Sequence, residues 1–345
     1  MTIRKLFCKV FFFLALKPIG GYCSWHNSTH FLLFFPYFVP MKKTLMVVVG
    51  ATASGKTALA IRIAQLFATE IISADGRQFF AEMNIGTARP SADELAQVPH
   101  HFIASRSIHD PLYSVGSFER EALAFLEKLF ATHDVAVLVG GSGLYVKALC
   151  EGMDEMPEIS LELRENLMQQ FHSQGLEPLL AQLQTLDPDY YNLVDKANHQ
   201  RVIRALEMCI TTQQPYSSFR KKQTAERDFR VIKVALDWPR EQLYERINKR
   251  VEAMVADGLE QEAAALLPYK HLNALQTVGY KEWFEHWEGQ YSRAETIERI
   301  KQNTRRYAKK QLTWFGRDES VHWITPLQAE QQLPELLELW LKESE

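Results

Sequence analysis

Gly50-Ala51-Thr52-Ala53-Ser54-Gly55-Lys56-Thr57 has the residue types and spacing of a phosphate cradle. The two glycines let the backbone wrap an anion with its N–H groups pointing inward. Lys56 adds a full positive charge, and a helix starting there adds the partial charge of its N-terminus. The Thr57 hydroxyl suits a magnesium ion carried on the phosphates. The pattern implies a di- or triphosphate ligand and leaves the reaction open.

The carboxylate expected beside that ligand is Asp75, within Ser73-Ala74-Asp75-Gly76-Arg77-Gln78. An NTPase usually carries a second buried strand ending in Asp, which helps to hold the metal. Here the best such run, 135–139, ends in Gly140-Gly141-Ser142 instead. Ligands of open α/β sheets bind beyond the carboxyl ends of strands, which puts Asp75 near the phosphates. On these residues alone it serves equally as a magnesium ligand, a kinase's substrate base or a base for another nucleophile. A turn-forming Asp before Gly76 is the plain alternative.

The elements that must position these groups form a recognisable series. Residues 44–49 are a β-branched, apolar run of the kind buried on both faces of a parallel sheet. Helical spacing follows over 58–67, a short strand over 71–74, an amphipathic helix over 118–130 and a third strand over 135–139. This order predicts an α/β fold, a P-loop NTPase-like doubly wound parallel sheet. From 153 to 228 the chain turns polar and helical, and a strand returns at 229–236. We therefore expect a core of 41–152 and 229–345 with C-terminal helices, including one near 333–342. An inserted helical subdomain is expected at 153–228.

Composition sets outer limits. The chain has 345 residues, 46% hydrophobic and 23% charged, with a formal net charge of -3. That is ordinary globular composition, so any nucleic-acid contact must come from local basic clusters. Cys8, Cys23, Cys150 and Cys209 form no finger or CxxC spacing, which suits a reducing cytoplasm; the last two read as small buried apolar residues. His100-His101 has no third ligand at metal-site spacing and reads as a loop or core pair. Residues 1–40 lack Asp and Glu and carry two apolar bursts, each shorter than the roughly 18–20 residues of a membrane span. No membrane association is expected, and Met41 reads as the true start, with 1–40 outside the fold.

Eleven ordered blocks make the sequence specific. GATASGKT (50–57), EIISADGRQFF (70–80), NIGTARPS (84–91), PHH (99–101), DPLYSVGSF (110–118) and LVGGSGLYVKALCEG (138–152) come first. QRVIRALE (200–207), PREQLYERINKRV (239–251), GLEQEA (258–263), LQTVGYKE (275–282) and TRRYAKKQLTWF (304–315) follow. In order and spacing they resemble the tRNA dimethylallyltransferase family over roughly residues 45–315. The resemblance implies transfer of a dimethylallyl group from its diphosphate to N6 of the adenosine 3′-adjacent to the anticodon. The tRNAs implied are those reading codons that begin with U, and diphosphate is released.

By that resemblance Asp75 is the general base, while Lys56, the P-loop and a Thr57-bound Mg2+ stabilise the leaving diphosphate. Ser142 stands where the family has Thr and keeps the hydroxyl that positions the reacting groups. Gly76 replaces a Ser and Phe80 a Tyr, so two family hydroxyls are missing. Asp75, Gly76, Arg77, Gln78, Ser142, Gln200, Arg201, Val202, Ile203 and Arg204 are implied tRNA contacts. Arg164, 22 residues past Ser142, is another. No cysteine follows Cys209, so the eukaryotic zinc finger is absent and the bacterial type is implied. A monomer is the default expectation.

The basic clusters point the same way without the resemblance. Arg240, Arg246 and Arg250 lie on one helical stretch, where Arg246 and Arg250 share a face and suit diphosphate or RNA phosphates. Arg299, Lys301, Arg305, Arg306, Lys309 and Lys310 cluster around Tyr307. Trp314 and Phe315, which follow, are expected in the core. Two rivals remain: a small-molecule kinase using Asp75 on a hydroxyl, and an RNA-binding protein in which phosphate binding is a switch.

Overall fold

The alternation of Leu45, Val47 and Val49 with Met46 and Val48 decides how the strand Thr44–Val49 (β1) is used. The first set packs into one hydrophobic cluster and the second into another, and all five are fully buried. A strand apolar on both faces requires a layer of helices on each side. Burial of each such side chain contributes on the order of 1.5–3 kcal/mol.

The computed structural model describes residues 42–110, 113–154, 156–157, 159–220 and 224–343. The reading of 1–40, and of Met41 as the start, lies outside the described residues. β1 leads into Lys56–Phe67 (α1), then Ile71–Ser73 (β2), Ala92–Gln97 (α2), His100–His101 (β3), Val115–Phe130 (α3), Val135–Val139 (β4) and Gly143–Glu151 (α4). The helical stretch comprises Leu161–Gln174 (α5), Glu177–Leu186 (α6), Pro188–Leu193 (α7), His199–Thr212 (α8) and Tyr216–Phe219 (α9). Arg230–Leu236 (β5), Arg240–Ala256 (α10), Leu259–Leu266 (α11), Lys281–Trp287 (α12) and Arg293–Phe315 (α13) come next. Val321–Ile324 (β6), Pro326–Gln331 (α14) and Leu333–Glu343 (α15) end the described chain.

The sheet order is β3-β2-β4-β1-β5-β6, and every pairing is parallel. β1 runs in register with β4 (Val48 opposite Val139) and with β5 (Val49 opposite Ala235). From β1 the chain passes into α1, which joins the cluster on one face with α14 and α15. From its neighbour β4 it passes into α4, which joins α3 in the cluster on the opposite face. Adjacent strands that send their helices to opposite faces leave a crevice at their carboxyl ends, the usual ligand site of such sheets.

The fold divides into two units. One holds the described residues up to Cys150 together with those from Arg227, and contains the whole sheet. The other, Glu151–Glu226, has its own core of Leu167, Leu179, Leu183, Val202, Ile203 and Leu206. These boundaries stand two residues before the 153–228 read from composition. β3 and β6 were not anticipated as strands, and His100-His101 forms the edge strand rather than a loop. Cys150 and Cys209 are buried. Among the described residues no helix is long and apolar enough to cross a membrane.

Candidate active site

The loop after β1 is bent by Gly50 (φ 128°), Ala53 (φ 61°) and Gly55 (φ 99°). A left-handed Ala53 is strained, and the loop is tied down by side chains remote in sequence. Arg246 Nε donates to the Ala53 carbonyl (2.9 Å), and Trp238 Nε1 donates to that of Ser54 (2.8 Å). The Arg246 guanidinium lies 4.4 Å over the Trp238 ring. Arg250 Nη1 donates to Thr52 Oγ1 (3.2 Å). The Gly55 N-cap supplies no side chain to α1, and the helix has no acidic residue in its first turn. Its leading N–H groups therefore offer an anion site.

Lys56, at the start of α1, donates to the Ala51 carbonyl (2.6 Å). Burial lowers its pKa to about 8, the Arg250 charge acts in the same direction, and Asp75 opposes both. Lys56, Thr57, Asp75, Arg77, Gln78, Gly140, Gly141, Arg246 and Arg250 line one cavity of about 1070 Å³. The phosphate loop and the carboxylate thus face the same space.

Asp75 follows β2 and closes a turn on itself. Its Oδ1 accepts from the N–H groups of Arg77 (2.9 Å) and Gln78 (3.3 Å). Ser142, after β4, accepts from the Gly76 N–H at its Oγ (2.9 Å). The Arg77 pKa is lowered by burial, against the pull of Tyr145, Asp75 and Tyr307. Gln78 donates to the carbonyls of Thr87 (3.3 Å) and Ala88 (3.1 Å), so it braces the loop 84–91. That loop is also gripped by Glu262, whose carboxylate accepts from the N–H groups of Asn84, Ile85 and Gly86 and from the Tyr280 hydroxyl.

A cavity with an anion cradle at one wall and a carboxylate at another fits several phosphate chemistries. The comparisons narrow them. The IPP transferase family model matches residues 78–318. A tRNA dimethylallyltransferase of Bacteroides thetaiotaomicron is 48% identical over 296 residues, covering 86% of this chain and 96% of that one. This chain belongs to the IPP transferase family.

A second relative of that name, from Christiangramia forsetii, is 52% identical over 82% of this chain and 94% of its own. Among solved structures, the tRNA isopentenylpyrophosphate transferase of Bacillus halodurans superposes with a TM-score of 0.63 at 32% identity, covering 88% and 98% of the two chains. A eukaryotic dimethylallyltransferase captured acting on tRNA gives 0.69 at 25% identity, covering 83% and 75%.

Of the three arginines that this IPP transferase was expected to direct at phosphates from α10, Arg246 and Arg250 line the cavity. Arg240 does not line the cavity; its guanidinium lies 5.2 Å over the Tyr244 ring. Arg164, Gln200, Arg201, Val202, Ile203 and Arg204 all belong to the helical unit. Val202 (0% exposed) and Ile203 (3%) are core residues of that unit, on the apolar inner stripe of α8. Arg164 donates twice to the fully buried Glu207 (2.6 and 3.0 Å), and Arg204 donates once (3.3 Å). The exposed Arg201 is the basic residue of that block directed to solvent.

Trp314 corrects an expectation: it is 46% exposed and lies against Gly143 at the start of α4, while Phe315 is buried. The hydrophobic bulk of Trp314 suggested the core, but its place on α13 turns it outward. Trp238, Glu262 and Gln311 were missed as site residues. Only Trp238, at the end of a predicted strand, gave a positional hint.

Proposed function

We propose that this protein transfers the dimethylallyl group of dimethylallyl diphosphate to N6 of the adenosine 3′-adjacent to the anticodon of tRNA. The observation that carries this reading is the uncapped, cation-lined start of α1 facing Asp75 within one cavity. The names of the relatives add the substrate classes.

In the transfer, the allylic C–O bond breaks and its electron pair leaves with the diphosphate. Lys56, the loop N–H groups and Arg250 stabilise the charge that grows there. The N6 lone pair forms the new C–N bond, and Asp75 takes the displaced proton. An exocyclic amine is a weak nucleophile while its lone pair is delocalised, so a base within hydrogen-bond reach contributes about 10²–10⁴-fold. Ser142 holds the Asp75 turn through the Gly76 N–H.

The residues present fit a magnesium ion held with the substrate. Among the described residues no group of three His, Cys, Asp or Glu forms a metal cage. A small hard cation that takes most of its oxygens from diphosphate and water, with Thr57 as protein ligand, matches that donor set. When bound, Mg2+ would neutralise charge on the leaving diphosphate. Extrusion of the target base from the anticodon loop is required for it to reach the cavity.

The test is incubation of the full chain with Mg2+, labelled dimethylallyl diphosphate and unmodified tRNA, with labelled ATP in parallel. Label in RNA, lost in Lys56→Ala and in Asp75→Asn but with tRNA binding kept, is the expected result. Phosphate transfer from ATP without prenylation would replace this reading by that of a kinase.

A further inference from the structure

Gln311 is 5% exposed and bridges the phosphate loop and the loop after β4. Its Oε1 accepts from the Thr52 N–H of the phosphate loop (2.8 Å). Its Nε2 donates to the Gly141 carbonyl (2.9 Å), in the loop after β4. One amide thus spans the crevice between the two neighbouring strands whose helices leave to opposite faces. The next residue, Ser142, accepts from Gly76 beside Asp75, which extends the chain of contacts to the carboxylate. Tyr307, one turn earlier on the same face of α13, adds to it. Burial and the Asp75 charge raise the pKa of Tyr307, opposed by hydrogen bonds with Ser142 and Gln311.

Gly141 shows how closely this bridge is fitted. Its φ is not in the left-handed region, so its backbone would accept alanine. A Cβ there would collide with Nε2 of Gln311, and the nearest atom outside that side chain, the Gly50 carbonyl oxygen, is at an ordinary 3.5 Å. The glycine is demanded by one side chain.

We infer that Gln311 is a positioning residue that sets the spacing between the diphosphate loop and the turn carrying Asp75. This rests on the prenyl-transfer reading above. By holding the Thr52 N–H, Gln311 also fixes which loop N–H groups remain for the diphosphate. Its amide is committed to backbone groups of the two loops, and its contribution falls on the bound complex. Misplacement of reacting groups by about 1 Å costs on the order of 10²-fold in rate.

The experiment measures single-turnover transfer at saturating donor and tRNA, the dissociation constants of both substrates, and melting temperature. It compares wild type, Gln311→Met, Gln311→Glu, Gln311→Ala, Gly141→Ala and the double variant Gly141→Ala/Gln311→Ala. Methionine keeps the length of the side chain and loses both hydrogen bonds. Glutamate keeps the acceptor for Thr52 and loses the donor to Gly141, which supplies a second reading if methionine unsettles the fold. We expect each single variant to slow transfer at least about tenfold with both affinities within about threefold of wild type. The double variant should be no slower than the slower single, because the alanine Cβ fills space that Gln311 has vacated. Transfer within about twofold of wild type in Gln311→Met and Gln311→Glu, or multiplicative losses in the double variant, would overturn the inference. No transfer by the wild type would instead remove the prenyl-transfer reading, and this inference with it.

Discussion

Lys56 offers the sharpest numerical test of the site. Its ammonium is destabilised first by burial and then by Arg250, and its pKa falls to about 8. The ligand-free protein therefore keeps this charge nearly complete only below about pH 7 and has lost half of it at about pH 8. A bound diphosphate favours the charged form, so donor binding should take up a proton at higher pH. With the pKa at about 8, roughly one molecule in ten is charged at pH 9, and the apparent donor affinity falls about tenfold per pH unit beyond that. An unperturbed lysine would change donor affinity by less than about 5% between pH 7 and 9. The assay is calorimetric titration with dimethylallyl diphosphate, without tRNA, in pairs of buffers that differ in ionisation enthalpy. Uptake should approach one proton near pH 9, vanish in Lys56→Met, and move to higher pH in Arg250→Met. Stability follows the opposite course: the cost of the buried charge is complete below about pH 8 and is relieved as pH rises toward 10.5. Lys56→Met should therefore melt at a higher temperature than wild type at pH 7, and the gain should fade in alkali. Flat affinity and no proton uptake between pH 7.5 and 9.5 would refute the reasoning.

Gly86→Ala would drive a Cβ to within about 2.5 Å of the Tyr280 ring, so overpacking should cost about 1–3 kcal/mol, read as a lower melting temperature. Arg164→Ala leaves the buried Glu207 with Arg204 alone. Because the Arg164 side chain is 34% exposed, the loss is discounted to about 1–2 kcal/mol, measurable by urea unfolding. Weaker tRNA binding with unchanged stability would assign Arg164 to RNA instead. Lys309 and Lys310 are exposed on α13. If each meets an RNA phosphate, Lys309→Gln and Lys310→Gln should each reduce the slope of log affinity against log salt by about 0.7–0.9, and an unchanged slope would exclude them.

β1 and the phosphate loop were legible because the strand, its glycines, Lys56 and the helix start are contiguous. Asp75 was legible as a strand-end carboxylate, although its role was not. β3 and β6 were hidden: His100-His101 is too short to show a period, and Val-His-Trp-Ile mixes polar and apolar residues on an outer strand. Gln311 meets Thr52 across 259 positions and Glu262 meets Asn84 across 178, so neither contact leaves a local pattern. Trp314 defeated the rule that large apolar residues lie inside, because that rule runs one way: much of a folded surface is still apolar.

The self-closed turn at Asp75 also gives its carboxylate an aim. Oδ1 is committed to two backbone N–H groups, and among the described residues nothing donates to Oδ2. An incoming N–H therefore meets its readiest free acceptor at Oδ2, near the carboxylate plane. On the prenyl-transfer reading, the purine would present its amino group to Oδ2, because Oδ1 is already committed to the turn.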